Sequence, residues 1–215
     1  MRVTEKHLRD EVFNRCIEFL DVTLHFILHI EQIYSKDLFE KRLKYNQIVY
    51  ECQDVDVQNY ISEFLNQIKV LFRKQLVDQI AFVMTTRCEE DILRRYLIEL
   101  HPILEHSSST IHTNGSTLLA ELDSNFSACL IELMRQTPIS PPSLSTETEI
   151  EENDLHWKLQ MRLCHHDNNK FEIDDTFYEQ FKLTTNSQLS LKQLKSTHAQ
   201  RLHVQLMCQE NKTER

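Results

Sequence analysis

A single glycine, Gly115, is the feature that most restricts this chain of 215 residues, since an average chain of that length carries about 15 glycines. Glycine-rich phosphate loops, dinucleotide fingerprints and the sharp turn that holds a nucleophilic serine each need several positions without a Cβ atom. One glycine cannot provide those positions. The sequence therefore argues against nucleotide-dependent chemistry of the common kinds and against that class of hydrolase.

The charge balance argues against direct binding of nucleic acid. Lys and Arg total 24 and Asp and Glu total 33, which gives a net charge of −9. Affinity for a phosphate backbone comes chiefly from basic groups that displace counterions, and acidic groups outnumber basic ones in this chain. Its most basic run, KDLFEKRLK at residues 36–44, is interpreted as a charged face in contact with water.

The six cysteines indicate packed thiols rather than a zinc or redox site. No two of them lie within four residues of each other, so the paired spacing of zinc ligands and dithiol motifs does not occur. No secretory leader pattern opens the sequence, and the apolar stretch 12–30 carries three charged residues. We expect an intracellular protein with reduced cysteines and no membrane span.

Apolar residues spaced three and four positions apart predict three helices. These helices cover Thr4 to about Tyr34, Val57–Phe72 and Leu118–Met134. The first carries apolar residues on so much of its surface that a central position, contacted from several sides, is expected. Residues 38–45 are predicted to form a further short helix or turn.

Short apolar runs and alternating runs predict the strands of an antiparallel sheet. These strands are Ile80–Met84, Tyr96–Leu100, Trp157–Leu163 and Leu202–Met207. Residues 137–154 hold three of the four prolines and a run of acidic residues, and are predicted to be a flexible loop. Residues 168–200 show neither the helical spacing nor the strand alternation of apolar residues for more than a few positions. The predicted fold class is α+β.

Eleven histidines raise the question of a metal site. His25 and His29 lie four residues apart, as in zinc-binding helices, but Phe26 stands where a zinc protease carries its glutamate base. Their apolar surroundings favour packed side chains, and His165-His166-Asp167 is interpreted as a turn. We therefore assign no catalytic residue, metal ligand or cofactor. A small metal-dependent enzyme stays open as an alternative of another class.

Residues 18–46, EFLDVTLHFILHIEQIYSKDLFEKRLKYN, resemble the opening of HORMA domains, in particular that of the adaptor subunit of DNA polymerase zeta. Two further segments are similar to the family: QNYI at 58–61 matches the start of its second major helix, and LHVQLMCQE at 202–210 matches its C-terminal strand. The likeness extends to about residue 100 and returns near the C-terminus.

The resemblance implies a HORMA domain, with three helices packed on an antiparallel sheet and a C-terminal safety-belt segment. Residues 1–215 would form one such domain: a core at about 8–136, the flexible loop at 137–154, and a strand and the belt at about 155–210. In this family the belt wraps over a partner peptide that joins the sheet as an extra strand. Backbone hydrogen bonds then give affinity and side-chain pockets give specificity. A helix-rich scaffold with only local likeness is the plainest alternative.

The resemblance also assigns a site for a proline-containing partner peptide. The residues that it places there are Tyr60, Phe181, Leu183 and Tyr34. An aromatic face suits a proline ring because it is flat, apolar and loses few rotamers on binding. Phe177 is an alternative to Phe181 as the aromatic residue of the belt.

Two further contact regions follow from the same resemblance. Gln205 and Met207, on the phase of the last strand opposite Val204, would bind a second partner. Lys41 and Ser127 would take part in weak self-association as a HORMA–HORMA dimer, with Ser127 standing where relatives hold a basic residue.

The implied partners are proteins, and the implied role is that of an adaptor in translesion DNA synthesis. The partners implied by the resemblance are the catalytic subunit of DNA polymerase zeta and a translesion polymerase scaffold. For some relatives they also include an end-protection complex of break repair or activators of the anaphase-promoting complex. The alternative role is a spindle-checkpoint HORMA protein that inhibits those activators. We expect the protein in the nucleus, with the cytoplasm as a second location.

Overall fold

A computed structural model describes residues 5–74, 76–86, 92–102, 115–136, 155–163, 189–199 and 202–211. Three helices are present in these ranges, which confirms the prediction: α1 (Glu5–Ile30), α2 (Val55–Arg73) and α3 (Gly115–Met134). The strands are β1 (Phe39–Lys44), β2 (Gln47–Cys52), β3 (Val77–Thr86), β4 (Ile92–Pro102), β5 (Leu155–Leu163), β6 (Leu189–Ala199) and β7 (Leu202–Asn211). No helix within these ranges is long and apolar enough to cross a membrane.

Five strands form an antiparallel sheet in the order β5-β3-β4-β7-β6, and β1 and β2 form a separate hairpin. The helices pack on one face of the sheet, where Phe82, Tyr96 and Leu206 are fully buried. Helix α1 contacts α2, α3 and the hairpin, as expected for a central helix. Its residues Phe19 and Leu24 have no exposed surface. The α+β class is therefore confirmed.

Helix α1 ends at Ile30, four residues before the predicted end near Tyr34. Gln32 has a positive φ of 54°, and the next amide, that of Ile33, donates to the Leu28 carbonyl at 3.2 Å. The Gln32 amide donates to the His29 carbonyl, also at 3.2 Å. This is a Schellman cap, which usually places glycine at the position of positive φ. Because glutamine stands there, the sequence gives no stop signal.

The prediction of a short helix or turn at 38–45 is wrong, because residues 39–44 form strand β1 of a hairpin. Tyr45 and Asn46 link it to β2 with positive φ values of 50° and 58°, as in the two-residue turns that match strand twist. The run is rich in Glu, Lys and Leu, which favour helices. The turn overrides that local preference.

The C-terminal segment holds more strand than predicted. Residues 168–200 were expected to lack a sustained period, but Leu189–Ala199 is strand β6, paired with β7. The register shifts between Gln193 and Lys195, and such a bulge interrupts the alternation by which a strand is recognised in a sequence. The predicted flexible loop at 137–154, and residues 168–188, lie outside the described ranges.

Candidate functional site

The outer edge of β5 is the first component of the candidate site. Among the described strands, β5 pairs only with β3, so its other side can accept a further strand. The Leu159 amide donates to the Tyr60 hydroxyl of α2 at 3.2 Å, which shows that it points away from β3. Because backbone groups alternate along a strand, those of Trp157 and Met161 point the same way. The edge therefore offers donors and acceptors to an incoming segment.

Aromatic side chains border this edge on the helical face of the sheet. The Trp157 indole N–H donates to the Tyr34 hydroxyl at 2.9 Å, and its ring stacks on Phe82 with centroids 5.2 Å apart. Tyr60 meets Trp157 edge to face at 5.3 Å. The structure thus brings together Tyr34 and Tyr60, the two predicted peptide-site residues that lie in the described ranges, and joins them through Trp157.

Both tyrosine hydroxyls of the site are neutral near physiological pH. Burial raises the pKa of Tyr60, while the hydrogen bond from the Leu159 amide acts in the opposite direction. Burial likewise raises the pKa of Tyr34, against the effect of the Trp157 hydrogen bond. A neutral hydroxyl can accept a hydrogen bond from an N–H group, as each of these two tyrosines does.

Trp157 is a residue of the candidate site that the sequence did not identify as one. The sequence predicted it only as the first residue of an alternating strand. Its place beside Tyr34, 123 positions earlier in the chain, depends on tertiary structure. The one signal in the sequence is that it is the sole tryptophan. Phe181 and Leu183, also predicted for this site, lie outside the described residues, as does Phe177.

The second predicted interface lies on the sheet face away from the helices. Met207 contributes there to a small apolar cluster with Ala81, Val83 and Leu97, and only 7% of it is exposed. Gln205 is half-buried on the same phase of β7. The neighbouring strand β6 adds Leu191, which pairs with Gln209 of β7. The side chain of Leu191 is 58% exposed. Leu191, which the sequence did not single out, offers more apolar surface than Met207.

The residues predicted for self-association lie at the β1–β2 hairpin and on α3. The Ser127 hydroxyl accepts a hydrogen bond at 3.0 Å from the Gln47 amide group, which ties α3 to the turn end of the hairpin. Lys41 is exposed on β1. Two apolar side chains of the hairpin, Leu43 and Ile48, face each other across the strands and are mostly exposed.

The two histidines considered as metal ligands are packed side chains, as predicted. His25 is 4% exposed, and its Nδ1 accepts the Cys52 amide at 3.3 Å. The His29 ring stacks on Tyr50 with centroids 3.7 Å apart. In the part of the chain that the structure describes, no three His, Cys, Asp or Glu side chains are grouped as metal ligands.

Known proteins with the same fold were found among solved structures, while no family model matches the chain. A chain in the crystal structure of the mitotic checkpoint complex superimposes with a TM-score of 0.66 at 13% identity, covering 94% of this chain and 99% of that one. C. elegans HTP-2 bound to a HIM-3 closure motif superimposes with a TM-score of 0.64 at 11% identity. That match covers 95% of this chain and 92% of the HTP-2 chain. The three helices and the antiparallel sheet of this chain therefore have the fold of HORMA-domain structures.

In sequence, the chain is similar to proteins named MAD2B and to a processivity subunit of DNA polymerase zeta. It is 31% identical over 114 residues to the Danio rerio "mitotic spindle assembly checkpoint protein MAD2B", which is 52% of this chain and 54% of that protein. It is 26% identical over 146 residues to the Schizosaccharomyces pombe "DNA polymerase zeta processivity subunit", 68% of this chain and 66% of that protein. The chain thus spans about half the length of the MAD2B proteins it matches.

Proposed function

We propose that the protein is a non-enzymatic adaptor that captures a proline-containing peptide of a partner protein beneath its C-terminal belt. The observation that carries the proposal is the outer edge of β5, where Tyr60 and Trp157 flank backbone groups that point away from β3. An extended peptide can hydrogen-bond to such an edge, and the aromatic faces can take its proline rings.

The partner proposed for this site is the catalytic subunit of DNA polymerase zeta. The name of the S. pombe relative supports this choice, and the HTP-2 neighbour bound to a closure motif supports peptide capture. In this role the protein bridges that subunit to a translesion polymerase scaffold, through the face that carries Leu191 and Gln205. The nucleus is the location that this role requires.

A second candidate is a checkpoint role, in which the captured peptide comes from an activator of the anaphase-promoting complex. It is favoured by the printed name of the MAD2B relatives and by the likeness to a chain of the mitotic checkpoint complex. Both roles use the same edge of the sheet. The identity of the captured peptide therefore separates them, whereas the geometry of the site does not.

A binding titration tests the proposal. Fluorescent proline-containing peptides from the polymerase subunit and from an activator are titrated against wild type, Tyr60→Ala and Phe181→Ala. We expect tight binding of the polymerase peptide and a loss of about 2–4 kcal/mol for Tyr60→Ala, as for truncation of a buried aromatic anchor.

The control is Tyr50→Ala, which truncates a half-buried tyrosine that stacks on His29 rather than on Trp157. It should bind the peptide as wild type does. Tighter binding of the activator peptide than of the polymerase peptide would support the checkpoint role instead. Binding of neither peptide by the folded protein would contradict the adaptor function.

A further inference from the structure

A buried ion pair joins the end of α1 to the sheet. Glu31, just beyond the last residue of α1, contacts the Arg94 guanidinium of β4 at 2.5 Å, and their side chains are 0% and 7% exposed. The Tyr96 hydroxyl also donates to the Glu31 carboxylate. Removal of one member of such a pair would leave a charge without its counterion in the interior, which is costly. Arg94 is therefore fixed in place by the helical layer.

The same guanidinium also holds the last strand of the protein. Its other terminal nitrogen lies 2.7 Å from a carboxylate oxygen of Glu210, which sits directly opposite Arg94 in the β4–β7 ladder. The Glu210 side chain is 43% exposed. The Cys208 thiol contacts this carboxylate at 3.6 Å, and burial raises the pKa of the thiol to about 12, so it stays neutral. Arg94 thus connects α1, β4 and β7.

The position of β7 matters because of the strand order. Strands β5 and β6 follow one another in sequence, yet they occupy the two opposite edges of the sheet. In the proposed function the belt that joins β5 to β6 covers a partner segment paired with the edge of β5, and the β6–β7 hairpin on β4 anchors the far end of that belt. Release of the segment then requires β7 to leave β4, which breaks the contact between Arg94 and Glu210.

We propose that Arg94 is a positioning residue that latches the C-terminal hairpin onto β4 through Glu210, and that this latch lengthens the residence time of a captured peptide. The proposal rests on the proposed function. Glu210 forms the releasable half of the latch, because it is partly exposed and leaves with β7. Glu31 forms the permanent half, because it stays with α1 when the hairpin moves.

The test compares wild type with Glu210→Gln, which keeps the side-chain shape and removes the charge. The Arg94–Glu31 pair survives in this variant, so the fold is retained. The matched control is Glu132→Gln, which breaks the pair between α3 and the 67%-exposed Arg135 just beyond its end. Hydrogen exchange of the β7 amides is measured without peptide, and the dissociation rate is measured with the fluorescent polymerase peptide.

For Glu210→Gln we expect faster exchange in β7, unchanged exchange in α1 and β3, and dissociation of the peptide faster by roughly fivefold. Added salt should speed dissociation from wild type more than from Glu210→Gln, because the exposed side of the pair is screened. The control should behave as wild type in both measurements.

Wild-type exchange of β7 in Glu210→Gln would overturn the latch. So would an unchanged dissociation rate in a variant that binds the peptide. Hydrogen exchange needs no peptide, so it decides whether Arg94 holds the hairpin even if the wild-type protein binds none. Absence of peptide binding by the wild-type protein would contradict the proposed function without contradicting the latch.

Discussion

The Leu159 amide of edge strand β5 donates a hydrogen bond to the Tyr60 hydroxyl of α2, at 3.2 Å. An edge strand ordinarily leaves such an amide to water or to a pairing strand, and proteins limit unwanted pairing by covering it. Tyr60 covers one donor of β5 and presents its ring beside Trp157. One side chain therefore both restricts the edge and forms part of the surface that a partner would contact.

Tyr60→Phe should separate these two roles, because it removes the hydroxyl and keeps the ring. Loss of the acceptor of the Leu159 amide should lower the free energy of unfolding by about 0.5–1.5 kcal/mol. Because the ring remains, peptide affinity should fall much less than in Tyr60→Ala. Chemical denaturation and the peptide titration measure the two effects.

Tyr45→Phe is the control for this hydroxyl. The Tyr45 hydroxyl is buried and has no hydrogen-bond partner among the described residues, so its removal should cost less than that of Tyr60 or even stabilise the protein. Equal losses in the two variants would show that the Leu159 hydrogen bond contributes nothing to stability.

The sole tryptophan should report peptide capture directly. Trp157 lies at the β5 edge between Tyr34 and Tyr60, so a bound peptide should exclude water from its indole and move the emission to shorter wavelength. Tyr34→Phe, which removes the acceptor of the indole N–H, should alter the emission before any peptide is added. An emission spectrum that stays constant through a saturating titration would place the captured peptide away from this edge.

The helices could be predicted because their information is local. Apolar spacing located all three within a few residues, since the buried side chains of each helix recur three and four positions apart. Strand β1 could not be found in that way. Its composition favours a helix, and its turn uses Tyr45 and Asn46 at positive φ in place of glycine. Strand β6 was missed because a bulge interrupts its alternation.

The candidate site shows the same division between local and distant information. Tyr34 and Tyr60 were identified through resemblance to a family, because neither has a local pattern that marks a binding residue. Trp157 gains its place only when β5 pairs with β3. Glu31 looks like a polar helix end, and its complete burial depends on Arg94, 63 positions further along the chain. Such pairs require the tertiary fold.

The Glu31–Arg94 pair should behave as a coupled unit in a double-mutant cycle. Arg94→Gln leaves the fully buried Glu31 carboxylate without its counterion and should cost about 3–5 kcal/mol of unfolding free energy. The double variant with Glu31→Gln should lose less than the sum of the single losses, by about 1 kcal/mol or more. Chemical denaturation measures all four proteins.

Arg135→Gln provides the comparison, because it breaks a surface pair at the end of α3 and should change stability by no more than about 0.5 kcal/mol. Strict additivity in the cycle would show that the two buried charges do not stabilise each other. Glu31 would then not hold Arg94 in position for its contact with Glu210.

Stability should decrease in mild acid because of His29. Burial, followed by the charge of Lys36, lowers the pKa of His29 below its ordinary value of 6.5. Its Nδ1 is buried without a hydrogen-bond partner among the described residues, so a proton added there has no acceptor. Below about pH 6.5 the unfolded chain therefore binds more protons than the folded one at this residue. The free energy of unfolding then decreases as the pH is lowered.

The measurement is the free energy of unfolding at about pH 7.5 and about pH 5.5 for wild type and His29→Phe. The phenyl ring keeps the stacking on Tyr50 and the edge contact with Phe39 but cannot take up a proton. Wild type should lose more stability than the variant, with a difference in slope of at most about 1.4 kcal/mol per pH unit. His7→Gln, on the exposed start of α1, should follow wild type. If His29→Phe kept the full acid sensitivity, the responsible histidine would be another, and His25, which accepts the Cys52 amide, would be the next to replace.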